Sequence, residues 1–288
     1  MIARRERRTW LLVSLIALLG LASAALLAAC SDDDDDEAAP TIGATAGTPA
    51  APVEGEIIVF AASSLTDAFK EAGTAFQQKN PKAKVIFNFA SSSALATQIN
   101  EGAPADVFAS ADSAQMRVVT DKGNAAEPVV FATNQPTLVV PKSGSPVATF
   151  ADLAKPGVRL VLAAPEVPIG KYARDVFANA SKTPGGVSAD FSDKVLANVK
   201  SNEANVRAVL TKVQLGEADA GVVYTTDAAI ALNDVKLVDI PSAYNIVAQY
   251  PIATTKASKN AALSKAWVAF ILSPDGQAIL GKYGFGKP

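Results

Sequence analysis

The chain has 288 residues, of which 49% are hydrophobic, and it contains no histidine and only one cysteine. Without histidine, neither a Ser-His-Asp triad nor a histidine-ligated metal site can form. A single cysteine excludes an internal disulfide and a site built from several thiolates. Residues 1–29 carry four arginines and one glutamate, so the rest of the chain has 22 basic and 27 acidic residues, a net charge of −5. This acidic balance argues against a nucleic-acid partner.

The N-terminus has the pattern of a secretory signal. Four arginines in MIARRERRTW precede an uncharged apolar run, residues 10–29, that ends in Leu-Ala-Ala followed by Cys30. This order is typical of a signal peptide with a lipobox. We therefore predict cleavage before Cys30, lipidation of Cys30 and an extracytoplasmic protein anchored to the cell membrane. The alternative is a retained transmembrane anchor, because the run approaches the roughly 20 residues that span a bilayer.

A solvated tether is predicted for residues 30–55. It begins SDDDDDEAAP and continues with threonine, alanine, glycine and proline, so it has almost no large apolar side chain to bury. The aspartate run lacks the glycine turn and the later bidentate glutamate of a calcium loop. We therefore interpret the run as part of a spacer.

Strands and helices are predicted to alternate from about Glu56 onward. Helical patterns lie between most of eight short apolar segments, which indicates an α/β fold with largely parallel sheets covered by helices. About 233 residues could form either one sheet or two lobes. The predicted strands are Ile57–Ala61, Lys84–Phe89, Asp106–Ser110, Thr137–Pro141, Arg159–Ala163, Ala220–Tyr224, Lys236–Ile240 and Tyr250–Thr254.

Two adjacent serines follow the first predicted strand in VFAASSLTDAFKEAG, residues 59–73. From Leu65 onward, apolar residues recur at intervals of three and four, which predicts a helix with one apolar face. Ser64 and Asp67 have the spacing of a capping box. The pattern therefore predicts that at least one of Ser63 and Ser64 caps this helix.

Three serines follow the second predicted strand, in the sequence NFASSSALATQI, residues 88–99. Capping one helix requires only one of these serines. Open α/β sheets bind ligands where strands end and helices begin, and the first amides of a helix favour an anion. Two helix starts that carry serines could therefore form a neutral cup of hydrogen-bond donors around a negative cluster of oxygen atoms, although serine is also a common cap.

An enzymatic function has little support in the motifs. The sequence has no Gly-x-Ser-x-Gly elbow, no Walker-type loop and no dinucleotide fingerprint. A Ser-Lys nucleophile or a carboxylate pair such as Asp106 and Asp112 stays open. We expect Asp112 instead to cap a helix over Ser113–Thr120, and Asp106 to hold the end of its strand by hydrogen bonds.

Several motifs together resemble those of the molybdate-binding proteins of ABC importers. They are VFAASSLT (59–66), FASSSALA (89–96), GAPADVFASAD (102–112), GVVYTTDA (221–228) and LSPDGQ (272–277). They occur in the family's order, and the resemblance extends from Glu56 to Pro288.

The resemblance implies a type-2 periplasmic binding protein fold, in which two crossing segments join two α/β lobes. Lobe 1 is expected to comprise residues 56–137 plus 241–288, and lobe 2 residues 138–240, with crossings near 133–138 and 240–250. The family further implies a monomer that is not an enzyme and uses no cofactor. Such a protein binds molybdate or tungstate and delivers it to the permease of an ABC importer.

Backbone amides and hydroxyls from both lobes bind the oxyanion in this family. The segment Pro-Glu-Val-Pro-Ile-Gly, residues 165–170, departs from the family's pattern, because it is one residue shorter and has isoleucine where a small residue is usual. Two alternatives stay open: a receptor for sulfate or another oxyanion, and a surface-anchored hydrolase that uses a serine or a carboxylate. By motif, the ligand contacts fall on Ser64, Ser92, Ile169, Val206 and Tyr224.

Overall fold

The computed structural model describes residues 53–288. The expected signal peptide, Cys30 and most of the expected tether lie outside the described residues. Within residues 53–288, none of the helices has both the length and the apolar character needed to cross a bilayer.

The first of two five-stranded sheets has the strand order β2-β1-β3-β10-β4. Strands β1, β2 and β3 run parallel, whereas β10 is antiparallel to both β3 and β4. Its strands are β1 (Gly55–Ala62), β2 (Ala83–Ala90), β3 (Val107–Ala109), β4 (Ala125–Asn134) and β10 (Ala248–Thr255).

The second sheet has the order β7-β6-β8-β5-β9. Strands β6, β7 and β8 run parallel, and β5 is antiparallel to its neighbours β8 and β9. Its strands are β5 (Pro136–Pro141), β6 (Leu160–Ala163), β7 (Val199–Glu203), β8 (Ala220–Tyr224) and β9 (Val235–Val238).

Helices follow most of the strands, and each sheet has its own aromatic cluster. In the first, the Trp267 ring lies edge-on to Phe69 and Phe76, at centroid distances of 5.7 and 5.5 Å. In the second, Phe150 packs on Phe177 and Phe191. The helices are α1 (Thr66–Lys79), α2 (Ser92–Asn100), α3 (Ser113–Thr120), α4 (Pro168–Lys182), α5 (Phe191–Ala197), α6 (Val206–Gln214), α7 (Thr225–Ala229), α8 (Ala261–Leu272) and α9 (Pro274–Lys282).

All eight predicted strands are present, but β4 and β7 were not predicted. Both are edge strands, at the ends of their sheets. An edge strand has one neighbour and tolerates charge and proline. Accordingly, β4 contains Glu127 and Pro128, and β7 has the polar sequence VKSNE, so neither shows the continuous apolar run of a central strand.

The predicted two-lobe fold is confirmed, and the chain passes between the sheets twice. It does so at Gln135, between β4 and β5, and in the segment 239–247, between β9 and β10. Strand β5 begins at Pro136, two residues before the boundary expected at 138, because Pro136 and Thr137 already pair with β8. The other lobe boundaries stay a proposal.

Candidate anion-binding site

A small cavity lies between the lobes, where β1, β2 and β8 end and helices α2, α4 and α6 begin. Its volume is about 10 Å³. All five residues expected from the sequence line it: Ser64 and Ser92 from the first lobe, and Ile169, Val206 and Tyr224 from the second. The remaining lining residues are Ala62, Ser63, Ser91, Ala111, Val167 and Pro168, so the described lining contains no formally charged side chain.

Ser64 lies in a single 3-10 turn, Ser63–Leu65, that separates β1 from α1. The predicted capping box is wrong, because this extra turn moves the start of α1 to Thr66 and no side chain caps the helix. Ser63 accepts a 2.7 Å hydrogen bond at its carbonyl oxygen from the Thr66 hydroxyl. The Ser64 side chain, 3% exposed, instead has its Oγ 3.0 Å from the Tyr250 hydroxyl.

The three serines at the start of α2 have three different roles. Ser91 is the N-cap, and its Oγ accepts from the amide of Ala94 at 3.3 Å. Ser93 donates to the Ser91 hydroxyl at 3.2 Å. Ser92, only 1% exposed, accepts from the amide of Ala111 at 2.9 Å. Because the Ser92 oxygen already accepts from an amide, its hydroxyl hydrogen is available to a ligand in the cavity.

Tyr224 ends β8, and its side chain is 1% exposed. Among the described residues, its hydroxyl has no hydrogen-bond partner. Burial raises the pKa of Tyr224 well above its ordinary value, so the group stays a protonated donor. A buried donor without a partner costs about 1–3 kcal/mol, and an oxygen atom of a ligand would remove that cost.

Ile169 and Val206 place helix N-termini at the cavity. Val206 is the first residue of α6, and the preceding Asn205 caps the helix by accepting from Ala208 at 3.1 Å. Ile169 follows Pro168 at the start of α4, with its side chain buried in the core. The first amides of a helix have no acceptor within it and carry the positive end of its dipole. Backbone N–H groups from both helices can therefore donate to an anion.

The nearest cation along the chain is Arg207, and two carboxylates neutralise it. Its guanidinium lies 2.8 Å from Asp67 and 2.5 Å from Asp227. Burial raises the pKa of Asp227 to about 6, against the opposing effect of Arg207. The cup is therefore a set of neutral donors, and Arg207, already paired with two carboxylates, does not supply it with a free positive charge.

Sequence reasoning missed Tyr250 and Asn134, which support the site from behind. Tyr250, in β10, is fully buried, and its hydroxyl lies between Ser64 Oγ and Asn134 Nδ2, at 3.0 and 3.4 Å. Tyr250 is 186 residues from Ser64 along the chain. No local sequence signal distinguishes it from an ordinary core tyrosine.

No base among the described residues contacts the two serines, as hydrolytic chemistry would require. The hydrogen-bond partners of Ser64 and Ser92 in the described part of the chain are a tyrosine and an amide. As expected, Asp112 caps α3 through the amide of Gln115, and Asp106 accepts from the amides of Ile58 and Lys259. Residues 53–288 contain no cluster of acidic or cysteine side chains suited to a metal ion.

Residues 57–286 match the family model of bacterial extracellular solute-binding proteins. The chain belongs to this family. Among its relatives, the molybdate-binding protein ModA of Mycobacterium tuberculosis H37Rv is 41% identical over 248 residues, 84% of this chain and 90% of ModA. ModA of Escherichia coli K12 is 34% identical over 243 residues, 81% of this chain and 89% of that protein. The resemblance expected from the motifs is confirmed.

Solved structures of other solute-binding proteins share the fold. The periplasmic molybdate-binding protein of Azotobacter vinelandii matches with a TM-score of 0.71 at 21% identity, covering 81% of this chain and 99% of that one. The sulfate-binding protein SubI of M. tuberculosis matches with 0.72 at 19% identity, covering 81% and 86%. The backbone therefore does not distinguish between the two anions. The protein is an extracytoplasmic solute-binding protein, a transport component and not an enzyme.

Proposed function

We propose that this solute-binding protein captures molybdate, and also tungstate, and delivers it to the permease of an ABC importer. The observation that carries the proposal is the neutral cup, in which hydroxyls and helix-start amides from both lobes converge without a charged side chain. The 41% identity to a molybdate-binding protein supports the choice of anion. In this proposal the hydroxyls of Ser64, Ser92 and Tyr224 donate to the oxyanion, as do the amides at Ile169 and Val206.

Selection among tetrahedral anions follows from how many hydrogen-bond donors of the cup each anion can pair. A ring spaced for a large oxyanion leaves donors unpaired around a smaller one, and each buried unpaired donor costs about 1–3 kcal/mol. Two such losses correspond to a preference of roughly a hundredfold or more over sulfate. Hydrogen phosphate carries a proton and needs an acceptor, so a cup of donors disfavours it.

Calorimetric titration of the full chain, purified in detergent, with molybdate, tungstate, sulfate and phosphate tests the proposal. We expect molybdate and tungstate to bind more tightly than sulfate, and phosphate to bind least. Tight sulfate binding without a molybdate signal would favour the second candidate, a sulfate receptor, which the equal fold similarity to SubI supports. Absence of heat with all four anions would contradict both.

Delivery to the permease requires a defined closed geometry, and the lobes make polar contacts across the cleft. Gln115 Nε2 donates to the carbonyl oxygen of Glu166 at 3.2 Å. Arg207 and Asp67 meet beside the cavity. We propose that the permease recognises the two lobe rims held in this arrangement, since a closed, loaded receptor differs from an open one in the relative position of its lobes.

Membrane attachment is proposed to occur through a lipid on Cys30, with residues 30–54 as the tether, because Gly55 already belongs to β1. The apolar run that precedes the single cysteine supports this. Mass spectrometry of membrane-extracted protein should give a chain that begins at Cys30 with added acyl mass, and Cys30→Ala should abolish that mass. A mass that includes residues 1–29 would instead indicate a retained anchor.

A further inference from the structure

Asn134 is the last residue of β4, beside the crossing at Gln135, and it is 4% exposed. Its Oδ1 accepts from the amide of Gln135 and from the hydroxyl of Thr225, both at 2.9 Å. Its Nδ2 donates to the hydroxyl of Thr226 at 2.9 Å and to that of Tyr250 at 3.4 Å. The side-chain amide thus uses its donors and acceptors in full within a buried network.

The directions of these hydrogen bonds follow from their chemistry. A backbone N–H can only donate, so the atom that faces the Gln135 amide must be the oxygen of Asn134. The nitrogen therefore faces Tyr250 and donates to the phenolic oxygen. Burial raises the pKa of Tyr250 well above its ordinary value, so this hydroxyl keeps its one hydrogen.

Among the described residues, the acceptor in hydrogen-bonding geometry for that hydrogen is Ser64 Oγ, at 3.0 Å. The Tyr224 hydroxyl lies nearby but forms no hydrogen bond with Tyr250. Ser64 therefore accepts from Tyr250, and its own hydrogen is left for the cavity. Ser92 reaches the same state independently, because its oxygen accepts from the amide of Ala111. Both serines are then oriented as donors before any ligand arrives.

We propose that Asn134 is a positioning residue of the anion site, which acts through Tyr250 to hold the Ser64 hydroxyl as a donor. This inference rests on the proposed function and assigns Asn134 no contact with the ligand. Without the amide nitrogen of Asn134, the Tyr250 oxygen could accept from Ser64, and the Ser64 hydrogen would turn away from the anion. By fixing the direction of the Ser64 hydroxyl hydrogen, Asn134 therefore increases the affinity for the anion.

A double-mutant cycle on the full chain tests this step, with molybdate affinity measured by calorimetry. Ser64→Ala should weaken binding about ten- to a hundredfold, the loss of one hydrogen bond to a charged group. Asn134→Leu should weaken it about three- to tenfold, because the serine keeps its hydroxyl but loses its fixed direction. In the Ser64→Ala background, Asn134→Leu should change the affinity by less than about twofold.

The inference would be overturned if Asn134→Leu lowered the molybdate affinity equally in the unaltered chain and in the Ser64→Ala variant. Such a result would show that Asn134 affects binding independently of Ser64. If Asn134→Leu does not fold, Tyr250→Phe replaces it, with the same expected dependence on Ser64 and the same contradicting result. Asn198→Leu is the matched control. This buried amide donates to Leu153 and Lys155, away from the cavity, so its loss should lower stability and leave affinity unchanged.

The cycle separates the two proposals. If the unaltered chain does not bind molybdate, the proposed function fails. If it binds and the two substitutions act additively, the function stands and the role of Asn134 is wrong.

Discussion

Arg207 and Asp67 form an ion pair between the lobes, with the guanidinium of Arg207, in α6, 2.8 Å from the carboxylate of Asp67, in α1. The two side chains are 25% and 38% exposed, but the Asp67 oxygen in the pair, Oδ2, is itself buried, so water and salt screen the pair only in part. Because its partners belong to different lobes, we expect the pair to form only when the lobes are closed. It therefore couples closure to a contact that lies outside the cavity.

Asp67→Asn should weaken molybdate binding about two- to fivefold, the effect of a partly exposed ion pair. The substitution removes an attraction of the closed state while every proposed ligand contact stays. The difference from the unaltered chain should shrink at high salt. Glu56→Gln is the control, because Glu56 pairs with Lys84 within one lobe, at 2.7 Å. Equal effects of the two substitutions would contradict a role in closure.

The hydroxyls of the cup can be removed one at a time. Ser64→Ala, Ser92→Ala and Tyr224→Phe should each weaken oxyanion binding about ten- to a hundredfold, since each removes a hydrogen bond to a charged group. Calorimetry gives the affinities, and circular dichroism confirms that each variant is folded. Ser93→Ala is the matched control, because Ser93 does not line the cavity. Unchanged affinity in all three variants would refute the proposed cup.

Ile169 tests whether a side chain or an amide faces the ligand. Its side chain is 1% exposed and belongs to the core. Ile169→Ala should therefore lower the free energy of unfolding by about 2–5 kcal/mol, the usual cost of truncating a buried isoleucine. The backbone amide remains, so affinity should change little in chemical denaturation and calorimetry run side by side. A tenfold loss of affinity would mean that the isoleucine side chain shapes the cup.

Asp227 should make stability depend on pH in an unusual direction. Burial raises its folded-state pKa to about 6, above the ordinary value of 3.8. Between these values the folded chain holds a proton that the unfolded chain has released. The resulting stabilisation is complete below about pH 4 and is lost as pH rises through about 6.

Comparison with Asp227→Asn isolates this effect, because the other titrating groups are shared. The melting temperature of the unaltered chain, relative to the variant, should fall as pH rises from about 4 to about 6.5. Thermal melts followed by circular dichroism across this range provide the measurement. A difference that stays constant with pH would contradict the raised pKa.

Local sequence predicted the serines of the site, and the family resemblance predicted the other residues. The serines after the first two strands, together with the missing histidine, are enough to indicate a neutral cup. The residues expected from motifs, Ser64, Ser92, Ile169, Val206 and Tyr224, line one cavity. Their contact with an oxyanion stays a prediction, to be decided by the binding measurements.

Other features of the site could not be predicted from the sequence, for physical reasons. The spacing of Ser64 and Asp67 fits a capping box, but an intervening 3-10 turn breaks it, and Asp67 pairs with Arg207 instead. In the serine triplet, sequence could not decide which hydroxyl caps α2, because all three are chemically equal until Ala111 approaches one of them.

The sequence alone determined the alternation of strands and helices and the serines at helix starts, because periodicity and capping act over a few residues. Only the tertiary structure decided which hydroxyl faces which partner. Ser64 meets Tyr250 across 186 residues, and Asn134 meets Tyr250 across 116. The direction of the Ser64–Tyr250 hydrogen bond depends on which atom of Asn134 faces Tyr250. These three residues come together only once β4, β8 and β10 are assembled around the cavity.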